Sequence, residues 1–121
     1  MPSSTKISPP NSLLFVSDVD GGDAPYPERG PLILSTPSCI SVACYPEQDG
    51  PTEVILGKIE EVDPGDRSAF DGDMETPNRS VVVSTVERET ILELDVSDTR
   101  THVRIWVSHP RWPDKVIIGV G

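Results

Sequence analysis

Along the last third of the chain, apolar and polar residues alternate with the two-residue period of a strand that buries one face. In residues 91–96, Leu92, Leu94 and Val96 share a side. In residues 101–108, Val103, Ile105 and Val107 share one side and His102, Arg104 and Trp106 the other. Residues 81–86 are almost all β-branched, and residues 116–120 form a further apolar run. Turn residues such as Ser97-Asp98 separate these segments, which is the pattern of hairpins or a meander. Earlier in the chain, residues 13–17, 39–45 and 52–59 read as further strands, with Ile40, Val42 and Cys44 on one side of the second, and residues 32–35 are a short apolar run.

The segments between them are irregular. Residues 1–11 are polar, carry Pro2, Pro9 and Pro10, and read as a flexible N-terminal tail. Residues 18–31 form a loop rich in Gly and Pro, with Pro27 among them. Residues 60–79 are the longest irregular stretch and hold seven acidic residues against Arg67 and Arg79. Pro64 and Pro77 limit any helix there. No long amphipathic helix and no internal repeat is visible. The pattern predicts an all-β chain: a single-domain antiparallel β-sandwich, or small barrel, of six or seven strands over residues 12–121, with little or no helix.

Composition agrees. At 121 residues the chain has the length of one domain. Val and Ile supply 23 of its 32 Leu, Ile, Val and Phe residues, and there are 3 Ala. Branched side chains lose rotamer freedom in helices and pack well on pleated sheets. Thirteen Pro and nine Gly punctuate the chain often enough for many short strands.

Charge narrows the partners. Ten basic residues against twenty acidic ones leave a net charge of −10. A nucleic-acid binder neutralises phosphates with Lys and Arg, and no basic run is present, so direct nucleic-acid binding is not expected. An acidic surface repels anionic membranes and attracts basic proteins. No apolar stretch approaches the roughly 20 residues of a membrane span. The opening residues lack the apolar centre of a signal peptide. Cys39 and Cys44 fall in one strand, about 16 Å apart at the usual rise and on opposite faces. A disulfide needs Cα atoms within about 7 Å, so both are expected as free thiols, which suits a cytoplasmic location.

Residues 13–22, LLFVSDVDGG, place Asp18-x-Asp20-Gly at the end of an apolar strand. This resembles the first motif of haloacid dehalogenase-like phosphatases. The resemblance implies Asp18 as nucleophile, Asp20 as acid–base and a bound Mg²⁺. It extends to residues 32–36, to Lys58, and to Gly65-Asp66 with Asp71. That family's doubly wound α/β sheet needs crossover helices of at least about 10–12 residues. The stretch from Asp20 to Leu32 holds three Pro and three Gly, and the chain end reads as strands, so the spacing argues against this enzyme.

Two other features carry chemistry. Asp18, Asp20 and Asp23, and separately Asp71, Asp73 and Glu75, are oxygen donors on expected loops, where Ca²⁺ sites of sandwiches are built. Neither set fits an EF-hand loop, whose twelfth position falls on Arg29 or Val82 instead of Glu. Residues 102–113 hold both His, both Trp and two of the seven Arg. Trp and Arg dominate binding hot spots, so His102, Arg104, Trp106, His109, Arg111 and Trp112 are the candidate binding residues. The alternative is that Trp106 packs beneath a loop and Arg104 lies over it. No nucleophile elbow or phosphate loop is present. The reading is a non-enzymatic interaction module without a required cofactor. It is an acidic inhibitor or immunity-type protein that binds a basic partner, or a protein that pairs with its own copy. The alternative is a Ca²⁺- or small-ligand-binding sandwich.

Overall fold

The computed structural model describes residues 2–26, 28 and 30–121. Pro27 and Arg29, which entered the loop and Ca²⁺ readings, lie outside the described residues, as does Met1. The chain forms β1 (Ser3–Ile7), β2 (Leu13–Ser17), β3 (Ile33–Thr36), β4 (Cys39–Ala43) and β5 (Thr52–Lys58). A single helical turn, α1 (Ile59–Val62), follows. Then come β6 (Phe70–Glu75), β7 (Ser80–Thr85), β8 (Thr90–Asp95), β9 (Arg100–Val107) and β10 (Lys115–Val120).

The strands make two five-stranded sheets, β1-β5-β10-β9-β6 and β3-β4-β2-β7-β8. One apolar cluster joins them. Leu14, Val16, Ile40, Val42, Val81 and Val83 from the second sheet meet Val54, Leu56, Val103, Ile105, Val116 and Ile118 from the first. Burial of each such side chain stabilises the fold by about 1.5–3 kcal/mol, which is why alternation in the sequence sets the register. The expected all-β sandwich is present, and no barrel closes.

Four details differ from the expectation. The described chain has ten strands instead of six or seven. Residues expected as a tail hold β1, which pairs antiparallel with β5 from Ser3↔Leu56 to Ile7↔Thr52. The irregular acidic stretch holds β6, antiparallel to β9 from Phe70↔Ile105 to Glu75↔Arg100. Asp and Gly are poor strand formers alone; β6 pairs with β9 where Met74 is buried in the core and Asp71 and Asp73 lie opposite Arg104 and His102. Of the hairpins or meander expected in the last third, the structure forms two hairpins, and they lie in different sheets. β7–β8 belongs to one and β9–β10 to the other, and β10 runs parallel to β5. Residues 97–99 therefore carry the chain from sheet to sheet.

Two neighbouring glycines shape the outer face of the first sheet. Gly57 and Gly119 are register partners on β5 and β10. A Cβ on Gly119 would sit 3.0 Å from Ile59 Cγ1 and 3.1 Å from Trp106 Cζ3. One on Gly57 would lie 2.8 Å from Val62 Cγ1. The absent side chains are what let α1 lie flat on the sheet beside Trp106.

Candidate interaction surface

The outer face of β9 and β6 carries a ladder of His and Arg side chains against Asp carboxylates. His102 Nε2 lies 2.8 Å from Asp71 Oδ1, and its Nδ1 lies 3.8 Å from Asp73 Oδ1. Arg104 Nη1 reaches Asp63 at 3.7 Å, and Arg100 Nε reaches Asp73 at 3.5 Å. Arg104 Nε is 3.4 Å from Asp71 Oδ2. That contact is ionic, since the buried Nε has no hydrogen-bond partner. Most of these side chains are half exposed, so each pair adds little stability, about 0–1 kcal/mol. The ladder aligns β6 on β9 and leaves a face of mixed charge.

Trp106 departs from the binding expectation. It is 3% exposed. Its indole Nε1–H donates to the Asp66 carbonyl at 3.0 Å. The Arg104 guanidinium stands 5.1 Å from its ring centroid. An indole over Gly119, beneath the 63–69 loop and beside α1, is a packing element, so its side chain is not offered to a partner. Arg104 lies over it, as the alternative reading expected.

His102 and Arg104 are also separated from the rest of the expected set. His109, Arg111 and Trp112 fall in the β9–β10 loop, past the far end of β9. The five steps along the strand from His102 to Val107 already span about 16 Å. That loop is closed by hydrogen bonds. Ser108 Oγ donates to Asp114 Oδ1 at 2.9 Å and accepts from the Asp114 and Lys115 N–H groups at 3.1 Å. His109 Nδ1 accepts the Arg111 and Trp112 N–H groups at 3.1 and 3.0 Å. The imidazole is thus a latch. It holds out Trp112, which is 56% exposed, beside the exposed Arg111. A braced, exposed Trp suits an interface anchor. Tyr26, 90% exposed, escaped the sequence reading, although an aromatic between Pro25 and Pro27 in a Gly-rich loop has no strand face to join.

The acidic residues weighed as metal ligands fall into separate roles. Asp18 is 2% exposed. Its Oδ1 accepts the Asn78 N–H at 2.8 Å, and its Oδ2 accepts Asn78 Nδ2 at 2.7 Å and the Asp20 N–H at 3.1 Å. Asn78 Nδ2 also donates to Asp20 Oδ2 at 2.6 Å. Burial pushes the Asp18 carboxyl up, but the hydrogen bonds from Asn78, Asp20 and Ser80 outweigh it and hold it below its ordinary value. Asp18 therefore fastens the loop after β2 to the β6–β7 turn. Asp23 is engaged through its backbone, accepting from Thr36 Oγ1 at 2.6 Å and donating to Ser38 Oγ at 2.8 Å. Asp71 and Asp73 face β9. Among the described residues, no group of three or more His, Cys, Asp or Glu is arranged to hold a metal ion.

The phosphatase resemblance fails on the same geometry. Its first Asp has both carboxyl oxygens engaged by protein donors. The described chain contains one four-residue α-helix and no helical crossover between parallel strands.

Cys39 and Cys44 are free and buried, as their spacing requires. Burial pushes the Cys44 thiol up to about 12. Burial, with the charge of Asp23, pushes Cys39 up to about 11. Both thiols are expected to react negligibly with Ellman's reagent near about pH 8 while folded, and fully in denaturant. Rapid reaction of the folded protein would show that either thiol is reachable.

With the geometry in place, comparison with known proteins gives one informative result. No protein-family model matches the chain, and no curated protein matches it. The fold is similar to that of ComJ. The crystal structure of ComJ from Bacillus subtilis, an inhibitor of the DNA-degrading activity of NucA, superposes with a TM-score of 0.61. The match covers 99% of this chain and 93% of ComJ at 11% sequence identity. At that identity the likeness to ComJ is one of fold and transfers no residue roles. No helix among the described residues is long and apolar enough to cross a membrane.

Proposed function

We propose that this chain is a non-enzymatic inhibitor that binds a basic, DNA-degrading protein. The observation that carries the reading is the likeness to ComJ along almost the whole chain, ComJ being an inhibitor of such an activity. Charge supports it independently. A protein that degrades DNA must hold phosphates with Lys and Arg, so the surface around its DNA site is positive. A partner of net charge −10 complements that surface and is steered toward it. Of the residues expected to bind, Arg111 and Trp112 stand exposed on a braced loop, and His102 on the β9 face.

The experiment is affinity capture from the source on the tagged chain at low salt, followed by elution at high salt. The eluate is assayed for DNA degradation with and without added chain. The expected result is a basic protein whose activity on DNA falls to background when one equivalent of the chain is returned. Capture that is insensitive to salt, or a captured protein whose activity the chain leaves unchanged, would overturn the reading.

A further inference from the structure

Where the two sheets part beside residues 97–99, an open groove of about 890 Å³ runs between α1 and the β8–β9 connection. Its apolar lining includes Ile59, Leu94 and Val96, all only partly buried. Leu94 and Val96 are side chains that packing inside the sandwich does not finish covering, and Ile59 is carried by α1. Acidic residues Glu60, Asp95 and Asp98 line it as well, and all three are exposed. Arg100 also lines the groove, but its guanidinium is engaged with Asp73. Lys58 is the remaining cation there. Three carboxylates against one ammonium leave the groove negative, and none of the three meets a basic side chain among the described residues.

Both walls are braced. On one side, α1 rests in the space left by Gly57 and Gly119. On the other, Thr76 holds the β8–β9 connection. Its N–H donates to the Thr99 carbonyl and its Oγ1 to the Asp98 carbonyl, each at 2.8 Å. The Thr76 hydroxyl has a single proton, spent on Asp98, so the 2.8 Å contact between Thr76 Oγ1 and Thr101 Oγ1 has Thr101 as donor. Thr76 and Thr101 are both buried. A groove with fixed walls loses little conformational entropy on accepting a ligand.

We propose that this groove receives an extended segment of the partner protein in which an aliphatic residue is flanked by Lys or Arg. The aliphatic side chain covers Ile59, Leu94 and Val96, and the flanking cations meet Glu60, Asp95 and Asp98. This site deepens the inhibitor reading and names where the basic partner is gripped.

The test uses a short capped peptide, Arg-Leu-Lys-Leu-Arg, titrated into the full chain and followed residue by residue through backbone amide NMR shifts. Shifts are expected at residues 58–60, 94–102 and 121, and not on the β7–β8 hairpin end. Ser97→Trp, which plugs the groove from an exposed position, and the pair Asp95→Lys with Asp98→Lys are each expected to weaken binding by about tenfold or more. The pair Glu87→Lys with Glu89→Lys makes the same change in net charge at the β7–β8 turn and is expected to leave binding within about twofold. Shifts elsewhere, no shifts, or equal losses in the two charge pairs would overturn the proposal. The DNA-degradation assay separates it from the broader reading. Full inhibition by Ser97→Trp sinks the groove and leaves the inhibitor standing. Failure of the unaltered chain to inhibit sinks the inhibitor, and the peptide titration still decides the groove.

Discussion

Trp106→Ala is expected to lower the stability of the fold by about 3–5 kcal/mol, the usual cost of truncating a buried Trp. Total stabilities are about 5–15 kcal/mol, so this loss leaves the protein marginal. The reasons are local. Trp106 is 3% exposed yet lies outside the main core, on the far side of the first sheet. It is the largest side chain beneath the 63–69 loop, and its N–H satisfies the Asp66 carbonyl. Removing it strips α1 of a packing neighbour, frees that carbonyl and takes the ring from under Arg104. Urea unfolding followed by far-ultraviolet circular dichroism measures the change. Trp106→Phe keeps a ring and loses the donor, so it is expected to cost about 1–2 kcal/mol. A loss below about 1 kcal/mol for the alanine variant would mean that the ring is not packed as described.

Asp18→Asn is expected to cost about 1.5–3 kcal/mol at neutral pH, the range for hydrogen bonds to a charged group. The amide keeps one acceptor oxygen but turns an NH₂ group toward the donors of Asn78 and Asp20. The cost should depend on pH in a definite direction. The folded carboxyl is held below its ordinary value. Its contribution is therefore present above the unfolded value and disappears as pH falls through the folded one. The stability gap between wild type and Asp18→Asn should be full at neutral pH and close under acid, below about pH 4. Unfolding curves at neutral and acidic pH check this. A gap that stays constant would show that Asp18 acts through shape and not through its charge.

Much of the sandwich was legible because burial on one face writes a period of two into the sequence. Leu92, Leu94, Val103, Ile105 and Val107 all turn toward the interior as their spacing requires. Two of the strands that escaped notice have no such run. In β6, Phe70, Gly72 and Met74 face inward, and the glycine and the acids Asp71, Asp73 and Glu75 hide the alternation. In β1, SSTKI offers only Ile7 as a large apolar residue, and its strand character comes from pairing with β5. The candidate site was less legible. The spacing of His102, Arg104 and Trp106 placed them on one strand face correctly. Which members of that face are open to a partner depended on α1, a single turn whose seat is made by Gly57 and Gly119, residues 62 positions apart.

The sequence by itself determined what local chemistry can express: strand content, the inward faces of most strands, free thiols at Cys39 and Cys44, and a surface rich in negative charge. Tertiary structure alone decided that β10 runs parallel to β5, that the last four strands divide between sheets, that Asp18 fastens two loops, and that Trp106 is inside while Trp112 is out. The physical reason is distance along the chain. A period of two reports on a residue and its immediate neighbours. Asp18 with Asn78, Trp106 with Asp66, and Gly57 with Gly119 are contacts between positions that no local pattern connects, formed only once the sheets have paired.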